Sequence, residues 1–347
     1  MVADVGASLL ANDLREQARS HIRTSTALLC HRNPQVPELR VADRHWSVAD
    51  GTNLLDALNQ AGVTVPYSCR AGSCHACLVH CVRGEPADLK PEALDRAQRE
   101  QGWRLACQCQ VVGDLQVETF DPLRDGLPAE VAALHWLSPS VLRLRLSVTR
   151  PLRYRAGQHL VLWTGGGIAR PYSLASLPEE DRFLEFHLDC AHPGEFIDAA
   201  RQFKVGDVVR LGELRGGALR YDPDWQEQPL WLLASGTGLG PLYGVLREAL
   251  RQDHQGPIRL VHVARNQAEH YLQDELLALA GACPQLVVEN LERPQLPDYL
   301  LQMRVVSRQT HALVCGHPDT VDAFARRLFM AGLPRNQLLA DAFLTRS

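Results

Sequence analysis

The sequence predicts a multidomain α+β protein in which three different folds follow one another along 347 residues. Three observations support this prediction. A cysteine-rich loop lies in the first third of the chain. Short apolar segments separated by turn residues occupy residues 129–189, as expected for the antiparallel strands of a barrel. From Pro229 onward, strands of the fully buried type alternate with helices, which is typical of a parallel α/β sheet.

Composition and length agree with a globular protein of several domains. A prior of about 150 residues per domain gives two or three domains, and 46% hydrophobic with 22% charged residues is enough for full cores. The formal net charge of −4 disfavours a nucleic-acid-binding protein. The chain has no apolar run of the roughly 18 residues that a membrane span needs, and its N-terminus lacks the apolar core of a signal peptide. We therefore expect a cytoplasmic protein.

The predicted domain boundaries follow the changes in sequence texture. We expect an N-terminal extension (1–35), a cysteine-rich domain (36–122), a barrel domain (127–226) and an α/β domain (228–347). The spacing of leucines fits a short amphipathic helix around residues 8–20, but we favour a loosely attached tail. Within the cysteine-rich domain, residues 38–48 are predicted as one strand and Asn53–Ala61 as a helix.

Four cysteines have the spacing of an iron–sulfur site. Cys69, Cys74 and Cys77 stand at C-x4-C-x2-C, and Cys107 follows after 29 intervening residues. This is the plant-type pattern in which four thiolates hold a [2Fe–2S] cluster. Gly72 beside them allows the backbone to wrap closely, so that N–H groups can point at the negatively charged cluster.

Three other uses of these cysteines were weighed. A zinc site would want a second C-x2-C, but Cys107 and Cys109 have only one residue between them. A Rieske centre needs two histidines, and only His80 is suitably placed after Cys77. Disulfides fit secreted proteins, and nothing marks this chain as secreted. The cluster is therefore the favoured interpretation.

With this motif, residues 36–121 resemble plant-type ferredoxins. The resemblance implies a β-grasp fold and assigns Cys69, Cys74, Cys77 and Cys107 as the cluster ligands. That family often has Gly, Ser or Thr after the second cysteine. Here the residue is His75, which we expect not to be a ligand.

A tetrapeptide of the barrel region, Arg170-Pro171-Tyr172-Ser173, suits a flavin and is predicted to lie just beyond a strand. Tyr172 could stack on the isoalloxazine ring, Ser173 could hydrogen-bond a flavin nitrogen, and Arg170 could pair with a phosphate. The tetrapeptide alone is weak evidence. Its position between a cluster domain and a glycine-rich α/β domain makes the flavin interpretation much stronger.

This arrangement resembles the ferredoxin–NADP reductase family, whose members have an Arg-x-Tyr-Ser flavin motif in an antiparallel barrel. Over residues 36–345 it is similar to reductase components of bacterial oxygenases, such as benzoate dioxygenase reductase. The resemblance implies FAD rather than FMN as the flavin. The family's second flavin segment has Gly and then Ser or Thr at a helix start; here this place is taken by Gly194, Glu195, Phe196 and Ile197. Ile197 has no hydroxyl, and Glu195 is unfavourable near a phosphate.

A glycine-rich turn follows the first apolar strand of the α/β region and opens a helix predicted from about Leu242. Glycines there let the backbone approach a pyrophosphate, which the helix start can bind. The family's nicotinamide-binding Gly-Thr-Gly-x-x-Pro is matched at Gly236, Thr237, Gly238 and Pro241.

Two further segments match the family near the nicotinamide and the flavin. Cys315 and Gly316 resemble its Cys-Gly-x-Pro, which lies beside the nicotinamide during hydride transfer. Asp341 and Phe343 loosely fit its acidic and aromatic chain end. No basic cluster follows the second strand, where Arg265 stands with Glu269, so NADH is favoured over NADPH.

The sequence thus predicts a reductase that takes a hydride from NADH on FAD and passes single electrons to a [2Fe–2S] cluster. Ser173 and Cys315 are the residues that we expect beside the reacting groups. A separate protein, an oxygenase in the main interpretation, would accept the electrons. The alternatives are a free-standing reductase of flavins, quinones or ferric chelates, and a redox sensor that turns over poorly.

Overall fold

A computed structural model describes residues 36–216, 219–305 and 307–343. The helix considered around residues 8–20 lies outside these residues. The described chain contains one mixed sheet with a small companion sheet, one antiparallel sheet and one parallel sheet, in this order along the sequence. Each of the three larger sheets has its own hydrophobic core.

The first unit is a mixed sheet covered by a helix. Its elements are β1 (Glu38–Val41), β2 (Arg44–Ser47), β3 (Thr52–Asn53), α1 (Leu54–Gln60), β4 (Leu78–Arg83), β5 (Ala87–Asp88), α2 (Arg96–Glu100), β6 (Trp103–Leu105), β7 (Cys109–Val111) and β8 (Leu115–Thr119). The order is β2-β1-β8-β4-β6, with only the β1–β8 pair parallel, and β3-β7-β5 form the small sheet. Asn53 caps α1, which buries Leu54, Leu55 and Leu58.

One strand prediction in this unit is wrong. Residues 38–48 form a hairpin of β1 and β2 and not a single strand. The chain reverses at Ala42, which has the left-handed φ of 50°. Of the two turn residues, Ala42 is not typical of turns, so Asp43 was the sole signal for the reversal and was too weak to divide the predicted strand.

The second unit is an antiparallel barrel. Its elements are β9 (Leu127–Trp136), β10 (Val141–Val148), β11 (His159–Trp163), β12 (Ala169–Ser173), β13 (Leu184–Asp189), α3 (Glu195–Ala200) and β14 (Val208–Arg215). The order is β12-β11-β14-β9-β10-β13, and a bridge between Leu174 and Phe186 joins the two edges. Two predictions need correction: Arg170–Ser173 lie within β12 and not beyond a strand, and β14 was not predicted.

The third unit is a parallel sheet with helices. Its elements are β15 (Leu230–Ser235), α4 (Leu239–Arg251), β16 (Ile258–Ala264), α5 (Gln273–Ala282), β17 (Leu286–Glu292), α6 (Leu296–Gln302), β18 (His311–Gly316), α7 (Pro318–Met330) and β19 (Leu338–Ala342). The order is β17-β16-β15-β18-β19, all parallel, as predicted. Helix α4 begins at Leu239 and not near Leu242, because a 3₁₀ turn of Gly236–Gly238 leads directly into it. The elements α6 and β19 were not predicted.

Across the described residues, every helix is too short or too polar to cross a bilayer.

Two glycines of the first unit allow the energetic cost of backbone strain to be distinguished from the cost of steric overlap. Gly51 and Gly84 both have a φ of 79°. A Cβ at Gly51 would meet open space, whereas a Cβ at Gly84 would overlap the carbonyl oxygen of Asp114. We expect Gly51→Ala to cost about 1–2 kcal/mol for the left-handed backbone. Gly84→Ala should cost about 1–3 kcal/mol more for the overlap. Native-state hydrogen exchange of β8 amides measures both losses of stability. Equal losses would show that the overlap with Asp114 costs nothing.

Candidate functional site

The loop between α1 and β4 directs its backbone N–H groups at a thiol. The N–H groups of Ala71, Ser73 and Cys74 lie 3.3, 3.4 and 3.4 Å from Sγ of Cys69. The N–H of Cys69 in turn donates to Sγ of Cys74 at 3.5 Å. Such converging donors stabilise negative charge on sulfur, which is what a thiolate ligand requires.

Left-handed residues give the loop this shape. Arg70, Gly72 and His75 have φ values of 49°, 75° and 52°. Glycine adopts this conformation freely, but it is uncommon for arginine and histidine. Arg70 is held there by an ion pair with Asp56 at 2.5 Å and by its position over the Tyr67 ring, 4.7 Å from the centroid. The unusual backbone is therefore stabilised by side-chain contacts outside the loop.

The four predicted ligands form two thiol pairs. A hydrogen bond from Cys74 lowers the pKa of the Cys69 thiol to about 4. A hydrogen bond from Cys77 likewise lowers the pKa of Cys107 to about 7, aided by a contact of 3.2 Å from the Gln108 amide to its Sγ. The pKa values of the two donor thiols rise because each holds its proton in the pair and is buried.

This pairing suits two metal atoms rather than one. Among the described residues, no three His, Cys, Asp or Glu side chains are arranged to hold a single metal ion. Four cysteines in two pairs can instead supply two thiolates to each iron of a [2Fe–2S] cluster. The ring nitrogens of His80, the half-match for a Rieske centre, lie 3.5 Å from a Glu118 carboxylate oxygen and 2.7 Å from the Gln101 carbonyl oxygen. His80 is thus engaged elsewhere.

Strand β12 carries the predicted flavin residues on the barrel surface. Arg170 and Tyr172 share one face of the strand because side chains alternate. The Tyr172 ring lies 5.0 Å from the ring of Phe196 in α3. Burial raises the pKa of the Tyr172 hydroxyl, so the side chain stays neutral. The last residue of the strand, Ser173, is the cross-strand partner of His159.

A carboxylate of the protein itself contacts Arg170, the arginine that is predicted to bind a phosphate. Glu195, the first residue of α3, has its Oε2 at 3.2 Å from Nη2 of Arg170. Gly194 before it contributes no side-chain cap, and Ile197 packs against the barrel core. A flavin phosphate that used Arg170 would therefore have to compete with Glu195.

The glycines of the nicotinamide turn have different roles. Gly236 has a φ of 54°, and a Cβ there would meet nothing within 4 Å. A Cβ at Gly238 would overlap the backbone of Cys315, and one at Gly316 would overlap the carbonyl of Ser235. Gly238 and Gly316 therefore let the ends of β15 and β18 touch, whereas the space above Gly236 remains available to a coenzyme.

The predicted residues near the chain end meet this turn. The N–H of Phe343 donates to the Gly316 carbonyl at 2.8 Å, and Asp341 is the register partner of Cys315. The Cys315 side chain is fully buried, and burial raises the pKa of its thiol well above the usual value. Any role of Cys315 beside a nicotinamide is thus one of shape, because its thiol is neither exposed nor acidic.

The three units meet around one residue that sequence analysis missed. The His159 Nε2 lies 3.3 Å from the carbonyl oxygen of Cys74, in the cysteine loop. The same ring interacts electrostatically with the Asp341 carboxylate at the chain end. Burial lowers the pKa of His159 and raises that of Asp341. A histidine after Gly157-Gln158 gives no sequence signal, since its partners are far away along the chain.

Apolar contacts accompany this junction. The rings of Phe120 and Trp163 stack with centroids 5.3 Å apart, joining the end of the first unit to β11. Ala76 of the cysteine loop packs with Val161 and Ala169 of the barrel. The cysteine loop is thereby fixed against β11 and β12, the second of which carries the predicted flavin residues.

Comparison with known proteins agrees with this site. The 2Fe-2S iron-sulfur cluster binding domain family matches residues 40–112, and the oxidoreductase NAD-binding domain family matches residues 232–326. The reductase component of phenol 2-monooxygenase from Pseudomonas sp. strain CF600 is 34% identical over 86% of this chain and 91% of its own. Reductase component 2 of terephthalate 1,2-dioxygenase from Comamonas sp. is 29% identical over 88% and 96%.

A solved structure supports the same grouping. The Amycolatopsis cytochrome P450 reductase matches with a TM-score of 0.61 at 26% identity, over 88% of this chain and 98% of its own. The fold and the matches define an electron-transferring oxidoreductase with an N-terminal [2Fe–2S] domain and a C-terminal NAD-binding domain. The chain belongs to the ferredoxin–NADP reductase superfamily, and within it to the oxygenase reductase components.

The open space at Gly236 can be tested with a matched glycine. In Gly236→Val the side chain would fill the region left for the coenzyme, so we expect NAD⁺ binding to be lost. Gly332 in the same unit also has a positive φ, 93°, with nothing within 4 Å of a Cβ. Gly332→Val therefore carries comparable backbone strain without blocking the turn, and should bind as the parent does. Isothermal titration measures both, and equal losses would refute the assignment.

The contact between Arg170 and Glu195 predicts opposite effects on flavin affinity. Arg170→Ala should weaken binding by about 1.5–3 kcal/mol, the usual contribution of a charge-assisted contact. Glu195→Gln should tighten it, because the competing anion is removed. Quenching of flavin fluorescence by flavin-free protein gives the dissociation constants. The control is Arg326→Ala, which breaks an exposed ion pair of 2.8 Å with Asp322 in α7 and should change nothing. Parent-like affinity in Arg170→Ala would contradict the prediction.

Proposed function

We propose that this chain is the reductase component of an oxygenase system. It takes electrons from NADH and delivers them, through FAD and its [2Fe–2S] domain, to a separate oxygenase protein. The relatives named as reductase components of terephthalate and naphthalene dioxygenases and of phenol 2-monooxygenase support this assignment. When bound, FAD supplies the conversion of a two-electron donor into single electrons, and the cluster supplies one-electron storage.

The observation that carries the proposal is the convergence on His159. His159, on the barrel strand that pairs with β12, lies 3.3 Å from the Cys74 carbonyl oxygen in the cysteine loop and interacts electrostatically with Asp341 at the chain end. The barrel unit therefore lies between the cluster-binding and nicotinamide-binding units in space as well as in sequence. This is the order that electrons must follow if only the flavin can exchange both hydride and single electrons.

Each predicted site residue receives a role in this proposal. Cys69, Cys74, Cys77 and Cys107 hold the cluster. Arg170, Pro171, Tyr172 and Ser173 line the flavin site, with Gly194, Glu195, Phe196 and Ile197 along its phosphate side. Gly236, Thr237, Gly238 and Pro241 form the coenzyme turn. Cys315, Gly316, Asp341 and Phe343 shape the space beside the nicotinamide.

The surroundings of Arg265 favour NADH over NADPH. Its Nη2 donates to the Ser140 hydroxyl at 3.0 Å and lies 3.9 Å from a carboxylate oxygen of Glu269. Glu269 also accepts from the hydroxyls of Ser138 and Ser140, each at 2.7 Å. An arginine that is engaged in this way, with a carboxylate beside it, offers little to a 2′-phosphate.

The proposal places the protein in the cytoplasm. The cysteines of the described residues are free thiols, including five outside the predicted cluster set: Cys81, Cys109, Cys190, Cys283 and Cys315. Free thiols are the normal state in a reducing compartment.

Removing one cluster ligand tests the proposal. Cys107→Ala should lose about two irons and two labile sulfides per chain. It should keep NADH:ferricyanide activity, which needs only the flavin, and lose most activity toward cytochrome c, which we expect to dock at the cluster domain. The control is Cys81→Ala in the same unit, which should keep both activities. Loss of neither activity in Cys107→Ala would exclude the cluster route.

A parent that reduces neither acceptor would favour a redox sensor, and one active only toward flavins, quinones or ferric chelates would favour a free-standing reductase.

A further inference from the structure

A chain of buried polar groups crosses from the barrel into the nicotinamide unit. Arg145 donates from Nε to Oε2 of Glu185 at 2.7 Å, and the other oxygen of Glu185 lies 2.9 Å from Nε2 of His187. The His187 side chain is only 1% exposed. Its Nδ1 lies 3.3 Å from the hydroxyl of Tyr271, which belongs to the nicotinamide unit and is 2% exposed.

The direction of each hydrogen bond follows from the groups involved. A carboxylate only accepts, so Nε2 of His187 donates to Glu185. In the tautomer that carries its proton on Nε2, Nδ1 is an acceptor and the Tyr271 hydroxyl donates to it. The His187 and Tyr271 rings also meet edge-on, with centroids 5.3 Å apart. Every member of the chain therefore has a partner, as a buried polar network requires.

This chain reaches the start of the helix that follows the nicotinamide turn. Gly240 is the second residue of α4, and no side chain there separates the helix from the His187 ring. The Tyr271 hydroxyl bonds a nitrogen of that same ring. Two elements of the nicotinamide unit, α4 and the segment just before α5, therefore meet at His187 of the barrel.

Two glycines allow the same helix to approach the segment that follows β12, the strand with the predicted flavin residues. A Cβ at Gly240 would lie 3.1 Å from Nδ1 of His187, and a Cβ at Gly244 would lie 3.3 Å from the Ala175 carbonyl. Ala175 is two residues beyond Ser173 in the predicted flavin motif. Helix α4 begins directly after Gly238 of the coenzyme turn. The flavin segment and the coenzyme turn are therefore held in register by contacts only a few residues from each.

We propose that Tyr271 and His187 are positioning residues that set the distance between the nicotinamide of NADH and the flavin. This inference rests on the proposed function. Without the Tyr271 hydroxyl, the nicotinamide unit loses its polar link to the barrel beside the start of α4. The glycine turn and the flavin strand can then shift relative to each other. Hydride transfer is sensitive to such shifts, since a misplacement of about 1 Å can cost roughly 100-fold in rate.

The test compares two tyrosines that make the same kind of bond. Tyr271→Phe keeps the ring and removes the hydroxyl. The control, Tyr221→Phe, breaks a buried hydrogen bond of 3.0 Å from Tyr221 to Nδ1 of His254. His254 lies just past the opposite end of α4, about 20 Å from the coenzyme turn for a helix of this length. Both variants lose one buried tyrosine–histidine bond.

Stopped-flow reduction of the flavin by NADH gives the limiting rate and the coenzyme affinity separately. We expect Tyr271→Phe to lower the limiting rate about 10-fold, with a dissociation constant for NADH within twofold of the parent. Tyr221→Phe should change neither. In flavin-free protein, amide exchange at Gly240 should quicken in Tyr271→Phe only. His187→Gln, which can still hydrogen-bond Tyr271, should retain more of the rate than His187→Phe.

Three outcomes would overturn the proposal. Equal limiting rates in Tyr271→Phe and Tyr221→Phe would leave the hydroxyl with a structural role only. A weaker affinity at an unchanged limiting rate would place Tyr271 in coenzyme binding and not in positioning. Unchanged exchange at Gly240 would show that the Tyr271 hydroxyl does not hold the start of α4. A parent whose flavin is not reduced by NADH at all would instead refute the proposed function, so the two failures are distinguishable.

Discussion

The hydrogen-bonding contact between the His159 ring and the Cys74 carbonyl fixes the cysteine loop against the barrel. Electron transfer weakens steeply with distance, so the cysteine loop must stay fixed beside the flavin strand. The contact joins a loop with several left-handed residues to a strand in the middle of the barrel wall. The stacked rings of Phe120 and Trp163 stabilise the same junction by excluding water from it.

The barrel contacts its two neighbouring units through different kinds of interaction. Toward the cysteine loop the contacts are the His159 hydrogen bond together with small apolar side chains, such as Ala76 and Ala169, that allow a close approach. Toward the nicotinamide unit they are polar and buried, through Glu185 and His187. Burial would raise the pKa of Glu185, but the hydrogen bonds from His187 and Arg145 outweigh it and lower the pKa to about 2. Breaking such a network leaves charged or polar groups unpaired, so it specifies one arrangement of the units.

Local patterns predicted most of the fold and the motifs, while long-range contacts could not be predicted. Cysteine spacing and the glycine turn are encoded within short stretches, and the alternation of apolar strands and helices indicated the parallel sheet. His159 and Tyr271 gave no such signal, because each has a partner more than 80 residues away along the chain. The motif at Arg170 was found but misplaced beyond a strand. Pro171 is tolerated within the observed strand because β12 is an edge strand of the sheet order.

The departure at α3 changes how this barrel can hold a flavin. In the family pattern a hydroxyl at the helix start helps to bind the pyrophosphate, but Ile197 offers none and Glu195 occupies Arg170. In the proposed flavin site the phosphate side would therefore contribute less to flavin affinity, and ring contacts would contribute more. Tyr172 against Phe196 provides an aromatic surface for such contacts, backed by the barrel core. Ring contacts orient the part of the flavin that reacts, so weak phosphate binding lowers retention without loosening the geometry on which electron transfer depends.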